Sequence, residues 1–108
     1  INQLEKLGVK FLFVKSDAQA RMQLKSVLKE IAKLQISSIL VEGGSKIYSS
    51  FLKQKLFDDI FLFVSPKILG SGLKTFSELK SNKLNDSLKL NIKQTQKIGD
   101  DLLIELVK

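Results

Sequence analysis

Ser38-Ile-Leu-Val-Glu-Gly-Gly-Ser45 is the stretch on which the fold turns. An apolar run with no polar interruption suits a strand buried on both faces, the habit of parallel strands covered by helices. Gly43 and Gly44 break the run, and Ser45 is placed to cap a helix reaching to about Lys55. On that helix Ile47, Phe51 and Leu52 form an apolar stripe, with Tyr48 beside it.

The N-terminal side repeats the pattern. Phe11-Leu-Phe-Val14 is a short apolar run between Gly8 and Ser16-Asp17 and reads as a buried strand. Over residues 20–34 the period changes to that of a helix: Leu24, Val27, Leu28, Ile31 and Leu34 share one stripe, and Lys25, Lys29, Glu30 and Lys33 face away. On the C-terminal side, Ile60-Phe-Leu-Phe-Val64 is a third apolar strand, expected to be central, and Pro66 ends it because proline cannot donate to a ladder. Strand, helix, strand, helix, strand implies right-handed crossovers onto a parallel sheet.

The tail alternates instead. Leu88, Leu90 and Ile92 interleave with Lys89, Asn91 and Lys93, and Leu102, Ile104 and Leu106 alternate with Leu103, Glu105 and Val107 across Gly99-Asp100-Asp101. This pattern predicts an antiparallel hairpin at the sheet edge. Residues 70–85 read as a loop with one helical turn near residues 76–79. The expected fold class is α/β, a mostly parallel sheet with flanking helices and a C-terminal antiparallel hairpin.

Composition narrows the chemistry. The 108 residues are 44% hydrophobic and 27% charged, which suits one folded domain or a large piece of one. With neither cysteine nor histidine, disulfides, common zinc sites and His- or Cys-based nucleophile dyads are excluded, so no metal is expected. A cytoplasmic setting follows as the default, and no apolar run reaches the roughly 18 residues of a membrane span. The net charge is +7, yet 17 of the 18 basic residues are lysines scattered along the chain and Arg21 is the single arginine. Phosphate clamps favour the rigid arginine fork, so a solvated lysine surface is the reading and no nucleic-acid partner is expected.

Ligand chemistry concentrates at residues 42–46. In open α/β sheets ligands bind at the carboxyl ends of strands, and a helix N-terminus there offers free N–H groups and about half a positive charge. Gly43 and Gly44 let the backbone approach a phosphate, and Lys46 adds a point charge. A plain strand-to-helix turn would use the same glycines. Glu42 ends an apolar strand, where it either accepts hydrogen bonds from a substrate, caps the following helix or lies in solvent. Residues 65–72, with Gly70 and Gly72, form a second candidate: a loop able to close over a ligand, or an ordinary glycine loop. Asp58 and Asp59 are adjacent, point to opposite faces, and read as solvated turn carboxylates.

Three motifs together resemble one family. Ile36-x-Ser-Ile-Leu-Val-Glu-Gly-Gly-Ser45, Asp58-x-Ile-x-Leu-Phe-Val-Ser-Pro-Lys-Ile-Leu-Gly70 and Ile98-Gly-Asp-Asp-Leu102 look like the second half of the reductase domain in the bifunctional riboflavin-biosynthesis deaminase–reductase family. The resemblance implies a dihydrofolate-reductase-like fold. It also implies NADPH-dependent reduction of the ribosyl group of a 5-amino-6-(5-phosphoribosylamino)pyrimidinone to ribityl. It puts Glu42 against substrate and Gly43, Gly44, Ser45, Lys46 and Ile47, with Ile47 beginning the helix, against the cofactor. No residue is given a catalytic role, since the cofactor supplies the hydride. Residues 1–108 would be the C-terminal part of one reductase domain, without its N-terminal part or a deaminase domain, and inactive alone. A homodimer stays open. Other reductases of this fold acting on pterins, and a non-catalytic module binding a phosphorylated metabolite, are the competing expectations.

Overall fold

The computed structural model describes residues 2–18, 21–79 and 84–108. It divides into two compact units, Ile1–Leu40 and Val41–Lys108.

In the first unit, a five-residue helix α1 (Asn2–Lys6) is closed by Gly8, whose φ of 81° lets the Val9 N–H return to the Leu4 carbonyl at 3.1 Å, beside the Gly8 N–H on the Glu5 carbonyl at 3.0 Å. Residues 11–14, expected as a strand, form no regular element and pair with nothing among the described residues. Met22 forms an isolated antiparallel bridge with Ser16, closing a turn in which Asp17 accepts from both the backbone N–H and Nε of Arg21 at 2.9 Å. Helix α2 (Leu24–Lys33) comes next. Its anticipated start at Ala20 lies outside the described residues, and the observed start is later for a local reason. The N–H of Gln23 is held by the Lys15 carbonyl at 3.0 Å, which keeps Gln23 extended until the helix begins. Leu24, Val27, Leu28 and Ile31 are half-buried and Lys25, Lys29 and Lys33 exposed, as the period requires.

In the second unit, helix α3 (Ser45–Lys53) is followed by strand β1 (Asp59–Val64), a 3-10 turn (Leu84–Asp86) and strands β2 (Asn91–Ile98) and β3 (Asp101–Val107). Helix α3 stops in a Schellman motif: Leu56 N–H donates to the Phe51 carbonyl and Lys55 N–H to that of Leu52, with Lys55 at φ 53°. Residues 75–78 make a turn rather than a helix.

The sheet corrects the expected topology. Its order is β1-β3-β2 and both pairings are antiparallel, so no parallel ladder exists among the described residues. Residues 38–42, also expected as a strand, likewise form no regular element and have no ladder partner among the described residues. An apolar run states a readiness to be a buried strand, but the ladder needs a neighbour, and hydropathy carries no sign of direction. Strand β1 is therefore an edge of this sheet, and β3, expected at an edge, is central.

The hairpin itself is present. Ile98 pairs with Asp101, and Gly99 takes φ 60° at the first position of the two-residue loop, the sign that a type II′ turn needs. Counting back from that turn fixes β2, so its strand includes the polar Gln94-Thr-Gln-Lys97 and leaves Leu88 and Leu90 outside. Lys93 sits in a bulge, donating to the buried Glu105 at 2.6 Å and lying 3.6 Å from Asp59. The Glu105 carboxylate, joined by Asp59, holds the Lys93 ammonium above its ordinary value. Asp59 is thus a partner in a cross-strand ion pair, not a merely solvated turn carboxylate.

Candidate functional site

The 42–47 stretch forms the entry to α3. Gly44 is the N-cap residue, with extended φ and ψ of −81° and 168°, and no side chain caps the helix. Three readings of the sequence are decided here. Ser45 is the first helical residue rather than the cap, and Glu42 does not cap. Ile47 does not begin the helix; it is the third residue, and its N–H already donates to the Gly44 carbonyl at 3.0 Å. Its side chain instead fills the space over Gly43, where an added Cβ would stand 3.1 Å from Ile47 Cδ1. An added Cβ at Gly44 would meet nothing within 4 Å, so that side of the turn is open.

Backbone donors can be counted one by one. Gly43 N–H donates to Tyr48 Oη at 3.0 Å, and the N–H groups of Ile47 and Tyr48 return to the Gly44 carbonyl. The N–H groups of Gly44, Ser45 and Lys46 have no acceptor among the described residues. They sit at the positive end of α3, where an anion gains from both the dipole and the unsatisfied donors. The Lys46 side chain is exposed and makes no ion pair among the described residues. The Glu42 carboxylate is also exposed and unpaired there, which leaves the solvated and the substrate-accepting alternatives of the sequence reading.

A second segment joins this corner. Ser77 Oγ donates to Ser45 Oγ at 2.9 Å, and Glu78 N–H donates to the fully buried Ser49 Oγ at 3.2 Å. Lys53 lies 3.6 Å from the Glu78 carboxylate. The loop that leaves β1 at Ser65 therefore returns to the first two turns of α3. Its middle differs: Ile68 and Leu73 are essentially fully exposed, and Gly70 takes φ 76°. A separate open depression of about 330 Å³ lies at the end of β1, lined by Val64, Ser65, Pro66, Lys97, Asp100, Asp101 and Leu102. None of residues 42–47 lines it.

Tyr48 and Ser77 were not singled out for the site from sequence. Tyr48 carries no spacing signal beyond its place on the helix. Ser77 lies 32 residues from its partner in a loop without periodicity.

Comparison with known proteins places the chain in a family. The family model described as the RibD C-terminal domain matches residues 2–104. The chain is 37% identical over 102 residues to the riboflavin biosynthesis protein RibD of Aquifex aeolicus, covering 94% of this chain and 27% of that protein. It is 27% identical over 94 residues to the 5-amino-6-(5-phosphoribosylamino)uracil reductase of Buchnera aphidicola, covering 86% of this chain and 45% of that one. A structure of Acinetobacter baumannii RibD superposes with a TM-score of 0.79 at 22% identity, covering 99% of this chain and 28% of that one, which establishes a shared fold. The chain thus spans about a quarter of the length of the A. aeolicus relative. With nearly its whole length matched by one family model, the chain belongs to the RibD C-terminal domain family.

Proposed function

We propose that this chain is the second half of a reductase domain that, in the full-length protein, reduces 5-amino-6-(5-phosphoribosylamino)uracil with NADPH, converting the ribosyl group to ribityl. The observation that carries the reading is the entry to α3: three N–H groups without acceptors, beside an open Gly44 and an unpaired Glu42, in a chain of the RibD C-terminal domain family. The donor set fits an anionic phosphate oxygen. It consists of the N–H groups of Gly44, Ser45 and Lys46, with the Lys46 ammonium nearby and no Cβ in the way. These residues would hold the cofactor's phosphate, and Glu42 would accept hydrogen bonds from substrate hydroxyls or ring N–H groups. When bound, the cofactor supplies the hydride; the protein binds, orients and excludes water. The dihydrofolate-reductase-like arrangement belongs to the same reading, with residues 11–14 and 38–42 as strands of the complete domain. So do a cytoplasmic setting and the pairing of two copies.

Purified full-length protein, given the phosphoribosylaminouracil and NADPH, is expected to form the ribityl product with stoichiometric cofactor oxidation. NADH in its place is expected to serve less well. NADPH binding without turnover would favour the non-catalytic module instead, and reduction of a pterin but not of the uracil would move the chain to another reductase of the same fold.

A further inference from the structure

The weak point of any phosphate turn built on two glycines is that nothing in its own covalent structure holds it. Gly43 and Gly44 lose more conformational freedom on ordering than any other pair of residues. At Gly44 there is no packing to compensate, since the space a Cβ would fill is empty to 4 Å. What fastens the turn are hydrogen bonds, and two of them come from one residue. Tyr48 N–H donates to the Gly44 carbonyl at 3.3 Å, and Tyr48 Oη accepts the Gly43 N–H at 3.0 Å. The first is the ordinary opening bond of a helix. The second is a side-chain contact that helix geometry does not require.

We infer that Tyr48 is a positioning residue: its hydroxyl, by taking the Gly43 N–H, holds the 42–44 backbone in the conformation that receives the cofactor. The peptide between Glu42 and Gly43 is planar and trans, so anchoring its N–H also sets the direction of the Glu42 carbonyl and the path on which the chain enters Gly44. Gly43 N–H is thereby withdrawn from ligand binding, and the three donors that remain open, on Gly44, Ser45 and Lys46, face the ligand without rearrangement. Removing the hydroxyl keeps the ring and the helix but returns the turn to an ensemble. Only part of that ensemble is competent, and apparent affinity falls in proportion to that part. The inference rests on the assignment of this turn to the cofactor.

The first test needs no variant. In the full-length protein without ligand, the Gly43 amide is expected to exchange its hydrogen far more slowly than the Gly44 amide, followed by NMR on glycine-labelled protein. Equal rates for the two overturn the inference. The second test is Tyr48→Phe. Loss of one neutral hydrogen bond is expected to raise both the Kd and the KM for NADPH about three- to tenfold. The kcat is expected to stay within about twofold, the pattern of lost binding rather than lost chemistry. An NADPH Kd unchanged in Tyr48→Phe, or a fall confined to kcat, removes Tyr48 from the turn. Gly44→Val separates the two levels. If it weakens NADPH binding while Tyr48→Phe is silent, the cofactor assignment survives and the role of Tyr48 falls; if both are silent, the assignment falls with it.

Discussion

Two apolar runs in this chain end in opposite ways. Ile39-Leu-Val41 has no ladder partner among the described residues, yet the backbone after it is closely fastened, through Gly43 to Tyr48 and through Gly44 to the start of α3. Ile60-Phe-Leu-Phe-Val64 is fully paired with β3, yet the segment after it is open, with Ile68 and Leu73 in solvent around a left-handed Gly70. Order in a strand and order at its end are therefore separate properties. The ladder supplies the first; the next helix, with its unsatisfied N–H groups and its side chains, supplies the second. The proposed binding chemistry is assigned to the fastened end, because a ligand gains most from donors that are already in place.

That contrast breaks or holds on measurable grounds. The largest effect is expected from Gly44→Val in the full-length protein, where a branched side chain enters space that the protein leaves open and the proposed phosphate occupies. Losing hydrogen bonds to a charged group costs about 1.5–3 kcal/mol, roughly a 10- to 150-fold rise in the NADPH Kd by titration. Next comes Glu42→Gln, which exchanges a charge-assisted hydrogen bond for a neutral one and is expected to lower kcat/KM for the uracil substrate roughly five- to tenfold. Since Glu42 has no partner among the described residues, the variant's melting temperature and NADPH Kd should stay as in wild type. A lowered melting temperature with normal kinetics would return Glu42 to a structural role.

Smaller effects probe the other end of the comparison. Gly70→Ala keeps open space around its Cβ but forces a left-handed alanine, at a cost of about 1 kcal/mol in stability. NADPH affinity should not change. A tenfold loss of affinity would mean that the 65–79 loop takes part in binding and that the two ends are not distinct. The smallest effect is expected from Lys55→Gly, which relieves a left-handed lysine in the Schellman motif and should stabilise by up to about 1 kcal/mol, read in chemical denaturation. It lies at the far end of α3 from the turn, so kinetics should not respond.

How much of this was legible in the residues depends on what kind of interaction writes the signal. The α2 stripe and the Gly43-Gly44 break were readable because period and glycine content act locally. The hairpin was readable from Gly99 and the alternation of β3. Its first strand was misplaced because Gln94-Thr-Gln-Lys97 is exposed throughout and bears no apolar alternation; only the turn register fixes it. The direction of β1 was not legible, since Ile60-Phe-Leu-Phe-Val64 has the same composition whether its neighbour runs parallel or antiparallel. Within the site, the 42–46 stretch declared itself, whereas the Tyr48 and Ser77 hydroxyls did not, because a single side-chain hydrogen bond leaves no pattern along a sequence.

The central place of β3 has a consequence in time. Both other strands pair only with β3 among the described residues, and β3 is made last of the three. At about 5–20 residues per second, β1 leaves the ribosome some seconds before its partner exists. During that interval Ile60-Phe-Leu-Phe-Val64 is a short, uncharged, β-prone segment of the kind that adds to its own copies. Asp58 and Asp59 stand before it and Pro66 and Lys67 after it, two charges of one sign on one flank and a ladder-breaking residue with a charge on the other. Charged and proline flanks of this kind oppose premature pairing. Replacing both aspartates with serine is expected to raise the insoluble fraction during synthesis. A variant as soluble as wild type would show that β1 is shielded by other means while it waits.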